Sequence, residues 1–106
     1  MLNVRLAERL NKFLAEASAM RQRYHARAYP ELPALGALEA MEGKRYVRIV
    51  HNDHGSRYCY CFVDKTNGDV LKSDGWKKPA KHARSNIWDA DFGLSGLSQY
   101  GAKYLK

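Results

Sequence analysis

Between Lys44 and Val63 the chain alternates with a period of two, in two runs separated by the turn signal Asn52-Asp53-His54-Gly55. In the first run Lys44, Tyr46, Arg48 and Val50 fall on one side, and Arg45, Val47, Ile49 and His51 on the other. In the second, Tyr58, Tyr60 and Phe62 share a side opposite Cys59, Cys61 and Val63. Successive side chains of a strand leave opposite faces of its sheet, so this pattern predicts two adjacent strands, over 45–50 and 57–63. One face then carries small apolar residues and the other carries aromatics with cations. A third strand over 70–72 is expected after Asp64–Asp69, because Asn67-Gly68 readily supplies the positive φ angles of a tight reversal. Together these make a three-stranded antiparallel β-meander.

The N-terminal third has a different period. Leu6, Leu10, Phe13, Ala17, Met20 and Tyr24 recur at spacings of four and three, which predicts an amphipathic helix over 1–29. Ala7, Ala15, Ala19 and Ala26 favour it, and no Gly or Pro interrupts before Pro30. Such a helix spans roughly 40 Å at 1.5 Å per residue, whereas a compact chain of this size has a radius of gyration of about 13 Å. Two arrangements accommodate it. Either the stripe packs on the sheet, or Leu6, Leu10, Phe13 and Met20 pair with a second copy in a homo-oligomer. Leu35, Leu38 and Met41, at helical spacing, predict one or two turns of a second helix. Pro79, suited to a first helical turn, predicts a short basic helix to about Asn86. The expected fold class is α+β in a single domain, 1–106: the amphipathic helix 1–29, a basic sheet-and-helix segment 44–88, and a flexible tail 93–106.

The charge is unevenly placed. The net charge is +7, and residues 43–88 hold ten Lys or Arg against four Asp, while the flanking segments are nearly balanced. A concentrated basic segment favours a polyanionic partner. No apolar run is long enough to span a bilayer, and Arg5, Glu8, Arg9 and Lys12 interrupt the start where a signal peptide would be apolar. The expectation is a cytoplasmic protein with no membrane partner. Cys59 and Cys61, two apart on one strand face, read as buried reduced thiols.

Aromatics interleaved with cations suit a single-stranded nucleic acid. Stacking contributes about 1–3 kcal/mol per base whatever the base, and the cations neutralise phosphates and release counterions. The candidate binding residues are Lys44, Tyr46, Arg48, Arg57, Tyr58 and Tyr60 on the strands, with Trp76, Lys77, Lys78, Lys81 and Arg84 beyond them. Lys77, Lys81 and Arg84 would share one side of the basic helix, whose first turn at Lys78-Pro79 would offer backbone N–H groups to a phosphate. The competing assignment makes the aromatic face the core face, covered by the N-terminal helix. Against it, Lys44 and Arg48 would be costly to bury unpaired.

No catalytic constellation is present. His51, His54, Cys59 and Cys61 match neither of the usual zinc-ligand spacings, C-x(2–4)-C and H-x(3–5)-H. Asp53, Asp64, Asp69 and Asp74 sit in turns, where Asp is common for conformational reasons. Phosphate loops, nucleophile elbows and cysteine–histidine signatures are missing. Neither an enzyme nor a cofactor nor a metal is expected.

The segment Gly68-Asp69-Val70-Leu71-Lys72, followed by Trp76-Lys77-Lys78-Pro79-Ala80-Lys81-His82-Ala83-Arg84-Ser85-Asn86-Ile87, resembles a pattern in small basic proteins of tailed bacteriophages. There a G-D-V-L-K strand leads to W-K-x-P-A-K-x-A-R-x-N-I, with a later Tyr-Gly pair matched by Tyr100-Gly101. The likeness covers roughly the last sixty residues, and Ser85 departs from it where Gly is frequent. Some phage proteins of this size and charge are single-stranded DNA-binding cofactors of a phage RNA polymerase. The resemblance therefore implies action in phage transcription or replication in the host cytoplasm, with single-stranded DNA and a phage or host RNA polymerase as partners. It transfers no functional residue. Two alternatives stay open: a phage protein that binds and modulates a host enzyme or defence complex, and a small nuclease.

Overall fold

A computed structural model describes residues 4–32, 38–53, 56–76, 78–98 and 101–102. Helix α1, Val4–Ala28, buries Leu6, Leu10, Phe13, Ala17, Arg21 and His25. The stripe matches the expected seam as far as Ala17, and then Met20 and Tyr24 give way to Arg21 and His25. A helix of 3.6 residues per turn drifts by about 20° per heptad against a fixed partner, so the contact line moves one position along. The drift brings a cation inward. Arg21 is 3% exposed, and its guanidinium lies 5.6 Å from the centroid of the Tyr60 ring, a cation on a π face.

Leu6, Leu10, Phe13 and Ala17 join Val47, Ile49, Cys61, Val63 and Val70 in one core. The seam offered for a homo-oligomer is thus spent inside one chain, because the sheet supplies the apolar face that the helix needs. Burial at intervals from Leu6 to His25 keeps the helix against the domain over most of its length. At 1.5 Å per residue its 25 residues reach about 37 Å, and the molecule is 41 Å along its longest axis.

The sheet has five strands where three are predicted. They are β1 (Glu39–Glu42), β2 (Tyr46–Asp53), β3 (Ser56–Asp64), β4 (Asp69–Leu71) and β5 (Ser85–Asn86), antiparallel and adjacent in chain order. β1 takes the Met41 end of the expected second helix, whose start at Leu35 lies outside the described residues. A spacing of three between Leu38 and Met41 does not separate a helical turn from a short strand, and pairing with β2 satisfies the backbone directly, with Met41 opposite Arg48. The basic helix after Pro79 is also replaced. Ser73 bridges Pro79, Asp74 N–H donates to the Lys78 carbonyl at 2.7 Å, Ala80 N–H to Lys72 at 2.7 Å, and Arg84 N–H to Val70 at 2.8 Å. The segment is a hairpin that doubles back along β4, with Trp76 near its tip. An isolated helix of two turns is unstable in water, whereas the open edge of β4 offers ready backbone partners.

A bulge decides the faces of β3. Ile49 pairs with Cys61 and Val50 with Cys59, leaving Tyr60 as the extra residue. Bulged residues bend the strand and break its alternation. Tyr60 and Cys61, 1% and 0% exposed, both enter the core against α1, together with Val63. Phe62 stays on the outer face, and Cys59 moves there. Tyr58 turns to the α1 side, where its ring stacks on His51 at 5.2 Å and the other side of the His51 contact is the edge of Tyr60. The predicted grouping of Tyr58, Tyr60 and Phe62 on one face is therefore corrected, as is that of the two cysteines.

Two turns fix the ends. Gly68 alone in the Asn67-Gly68 reversal has positive φ, +83°, and a Cβ there would come within 2.7 Å of Cδ1 of Trp88. Asp64, 4% exposed, accepts from the Thr66 N–H at 2.9 Å and hydroxyl at 2.7 Å and pairs with Arg45 at 3.3 Å. Burial pushes its carboxyl up, but the Thr66 and Arg45 bonds outweigh this and hold it below the usual carboxylate range. Of the segment read as a flexible tail, the described residues pack on the domain: Leu97 is 3% exposed in the core, and β6 (Leu97–Ser98) pairs with β7 (Gly101–Ala102) beside β3. No described helix is long and apolar enough to cross a membrane.

The bulge makes a direct prediction. Tyr60→Ala should lower unfolding free energy by about 3–5 kcal/mol, as for other large core aromatics, while Tyr58→Ala, at a site 54% exposed, should shift it by no more than about 0.5 kcal/mol. Urea denaturation followed by circular dichroism separates the two. For Asp64 the folded pKa lies below the unfolded value, so its stabilisation is complete above about pH 4 and is lost as pH falls through the folded pKa. The stability gap between the parent and Asp64→Asn should accordingly be widest near neutrality and narrow in acid.

Candidate nucleic-acid interface

On the face away from α1, Met41, Arg48, Phe62 and Leu71 stand in register across β1 to β4. Phe62 and Leu71 are 3% and 8% exposed although they lie outside the core against α1. Their cover comes from cations and from the hairpin. The Ser73 hydroxyl donates to the Cys59 carbonyl at 3.4 Å, and Arg48 Nε donates to the Trp76 carbonyl at 2.7 Å. The Arg48 guanidinium lies 5.8 Å from the Phe62 centroid and 4.7 Å from that of Trp76. Arg57 approaches the same indole at 5.8 Å and reaches the Met41 sulfur at 3.2 Å. Trp76 remains 37% exposed.

Next to this cluster a cavity of 390 Å³ opens between the start of β2 and the end of β1, lined among others by Met41, Lys44, Arg45, Tyr46, Arg48 and Phe62. The Tyr46 ring meets Phe62 edge-on at 6.2 Å and carries the Arg45 guanidinium at 5.2 Å. Lys44 is exposed. The terminal nitrogens of Arg48 make no hydrogen bond among the described residues. The acid on the rim is neutralised: Glu42 pairs with Lys65 at 2.6 Å, and that bond lowers its pKa. The cavity therefore presents positive charge beside two aromatic rings.

The structure sorts the sequence-predicted residues into three groups. Lys44, Tyr46, Arg48, Arg57 and Trp76 come together on the outer face. Tyr60 is a core residue, with its hydroxyl pKa raised by burial, and Tyr58 lies on the α1 side with His51, because the bulge inverts the strand's alternation. Lys78 and Lys81 are exposed on the returning limb of the hairpin, not on a helix. Arg84 serves the same limb, donating to the carbonyls of Lys81 at 2.7 Å and His82 at 2.5 Å, which close the loop around the left-handed His82 at φ 68°. Lys77 lies outside the described residues. Sequence reasoning missed Met41 as an outer-face residue. It also missed the arginines of α1 that meet Trp88; their spacing of four, off the apolar stripe, is the signal.

The Cys59 thiol is pushed up to about 11 by burial, against the lowering influence of Arg48 and Ser73, so it stays protonated at neutral pH. Cys61 is raised further by its burial in the core. Among the described residues no three His, Cys, Asp or Glu side chains converge as metal ligands would. What the face offers is π surface and fixed positive charge.

Arg48 tethers the hairpin tip to the sheet by one hydrogen bond and one stack. In a Trp88→Phe background, where Trp76 is the only indole, Arg48→Ala should red-shift Trp76 fluorescence and speed amide exchange at residues 73–76, Lys78 and Ala80. Arg48→Lys should restore little of either, since an ammonium lacks the planar fork that stacks and bonds at once. Unchanged emission and exchange in Arg48→Ala would show that the tip is held by something else.

No curated protein and no solved structure matches the chain. One family profile does, described as a family of unknown function (DUF7717), and it aligns with residues 3–100, so that it spans the helix, the whole sheet and the hairpin. The chain belongs to this family.

Proposed function

We propose that the protein binds single-stranded nucleic acid, DNA in the first instance, across the outer face of its sheet. The observation that carries the reading is Trp76, an indole 37% exposed with two arginines within 6 Å of its ring, next to a basic cavity containing Tyr46. Aromatic platforms flanked by cations suit unpaired bases and the phosphates between them. Duplex DNA covers its base faces and can use only the charges. The reading is of a binding protein and not an enzyme. The phage-like segment around Trp76–Ile87 suggests phage transcription or replication as its setting, with a phage or host RNA polymerase as a further partner.

The test separates stacking from plain charge. Lys44→Ala, Lys78→Ala and Lys81→Ala should each weaken binding of every single-stranded sequence and lower the salt slope by about 0.7 per lost phosphate contact. Trp76→Ala or Tyr46→Ala should instead cost about 1–3 kcal/mol with little change of slope, and should matter far less on a duplex. Fluorescence anisotropy with labelled single-stranded DNA, duplex DNA and RNA at two salt concentrations measures all of these. Folded Trp76→Ala and Tyr46→Ala proteins that bind single strands as tightly as the parent would end the proposal.

A further inference from the structure

The second tryptophan repeats the arrangement of the first on another surface. Trp88 is 44% exposed, and the guanidinium groups of Arg5 and Arg9 lie 5.7 and 5.8 Å from its ring. The indole is held from below. It stands over Gly68, where any Cβ would collide with it, and the backbone N–H of Trp88 donates to Oδ1 of Asn86 at 2.8 Å, which fixes the chain that carries the ring. Arg9 is fixed as well: it donates to the carbonyls of Ile87 and Asp89 and lies 4.1 Å over Phe92. Arg5 and Lys12 have no hydrogen bond or ion pair among the described residues. They fall with Arg9 on one side of α1, at spacings of four and three. A cavity of 130 Å³ lies between them and the ring, lined by Arg5, Glu8, Arg9, Lys12 and Trp88. It sets three cations against one carboxylate.

This second cluster is joined to the first by the sheet itself. Tyr46 begins β2 and pairs with Asp64 at the end of β3. Gly68, under Trp88, follows in the next turn and donates its N–H to the Asp64 carbonyl at 2.8 Å. Asp69 at the start of β4 pairs with Asn86. Tyr46 and the segment that leads into Trp88 therefore stand at the same end of the sheet, on β2 and just after β5, and those strands are three positions apart, roughly 14 Å at the usual strand spacing. That span is shorter than a typical single-strand site of about 4–16 nucleotides. Arg45, whose side chain is 64% exposed, lies on the way.

We infer that Trp88, with Arg5 and Lys12, is a second stacking and phosphate contact for the same single strand, which leaves the outer face and turns around this end of the sheet onto helix α1. The inference rests on the sheet-face reading for the identity of the ligand, but on separate residues for its site. Arg9 positions the ring, while Arg5 and Lys12 are the groups available to phosphates.

Oligothymidylates of about 5 and about 15 nucleotides, bracketing the single-domain range, test it. Arg5→Ala and Lys12→Ala, exposed changes with no core contact, should weaken the long oligomer severalfold and leave the short one unaffected. In Trp76→Phe, where Trp88 is the only indole, the long oligomer should quench fluorescence and polyglutamate, which has charge but no bases, should not. If Arg5→Ala, Lys12→Ala and Trp88→Phe all bind the long oligomer as the parent does, this inference fails while the sheet-face reading stands. If Trp76→Ala and Tyr46→Ala are inert but the α1 variants lose binding of both lengths, the sheet-face reading fails and Trp88 is the site. Equal quenching by polyglutamate overturns stacking at Trp88 in favour of an acidic protein partner. A parent that binds neither oligomer overturns both.

Discussion

In β3 two residues, Tyr60 and Cys61, stand where β2 presents one, and both side chains enter the layer between sheet and helix. Everything on the outer face depends on that extra residue. Without it Tyr58, Tyr60 and Phe62 would share a side, and the largest ring of the strand would leave the core that α1 covers. With it, Phe62 remains outside as the floor of the Arg48–Trp76 cluster, while Tyr60 fills the core and accepts the Arg21 guanidinium over its ring. A buried arginine is tolerated where a π face and hydrogen bonds replace its water. The bulge also separates the two thiols, leaving Cys59 beside Arg48 and Cys61 in the dry interior.

Cation–aromatic contact is the repeated device of this molecule. Arg48 and Arg57 meet Trp76, Arg5 and Arg9 meet Trp88, and Arg45 meets Tyr46. Each exposed contact contributes only about 0.5–1 kcal/mol, too little to hold a fold together but enough to orient a loop. That modest strength suits a binding surface. The hairpin after β4 lies over Phe62 and Leu71 and is tied to the sheet through Arg48 and Ser73, and segments outside the main core open at lower free energy than the core itself. On the proposed reading, a ligand with its own flat rings and negative charge would substitute for the contacts that hold the arginines and indoles in place. The rigid part of the molecule, α1 against β2, β3 and β4, then acts as the frame on which these contacts are spaced.

Long elements with strong periodicity were legible before any coordinates. The apolar spacing of α1 survives in Leu6, Leu10, Phe13 and Ala17; strands β2 and β3 form over the alternating residues 45–50 and 57–63, although the bulge breaks the alternation within β3; and Gly68 takes the positive φ that the Asn-Gly pair announced. The concentration of cations in residues 43–88, and the candidacy of Lys44, Tyr46, Arg48, Arg57 and Trp76, were legible for the same reason: charge and ring type are written in each residue. These features are local, and a short window of chain contains the physics that fixes them.

Tertiary structure alone decided which face each ring would occupy. The parity of a strand after a bulge is set by its partner's register, and nothing in the residues Tyr58-Cys59-Tyr60-Cys61 marks Tyr60 as the unpaired one. The same holds for the short segments. Residues 39–42 and 79–86 carry helical spacings, but each is too short to gain a stable helix from its own hydrogen bonds, and each lies beside a sheet edge with backbone groups to satisfy. The stripe on α1 suits either a second chain or its own sheet, and within the chain its Leu6, Leu10, Phe13 and Ala17 pack on β2, β3 and β4. Local sequence therefore fixed the chemistry that the protein carries, and long-range pairing fixed which of it faces solvent.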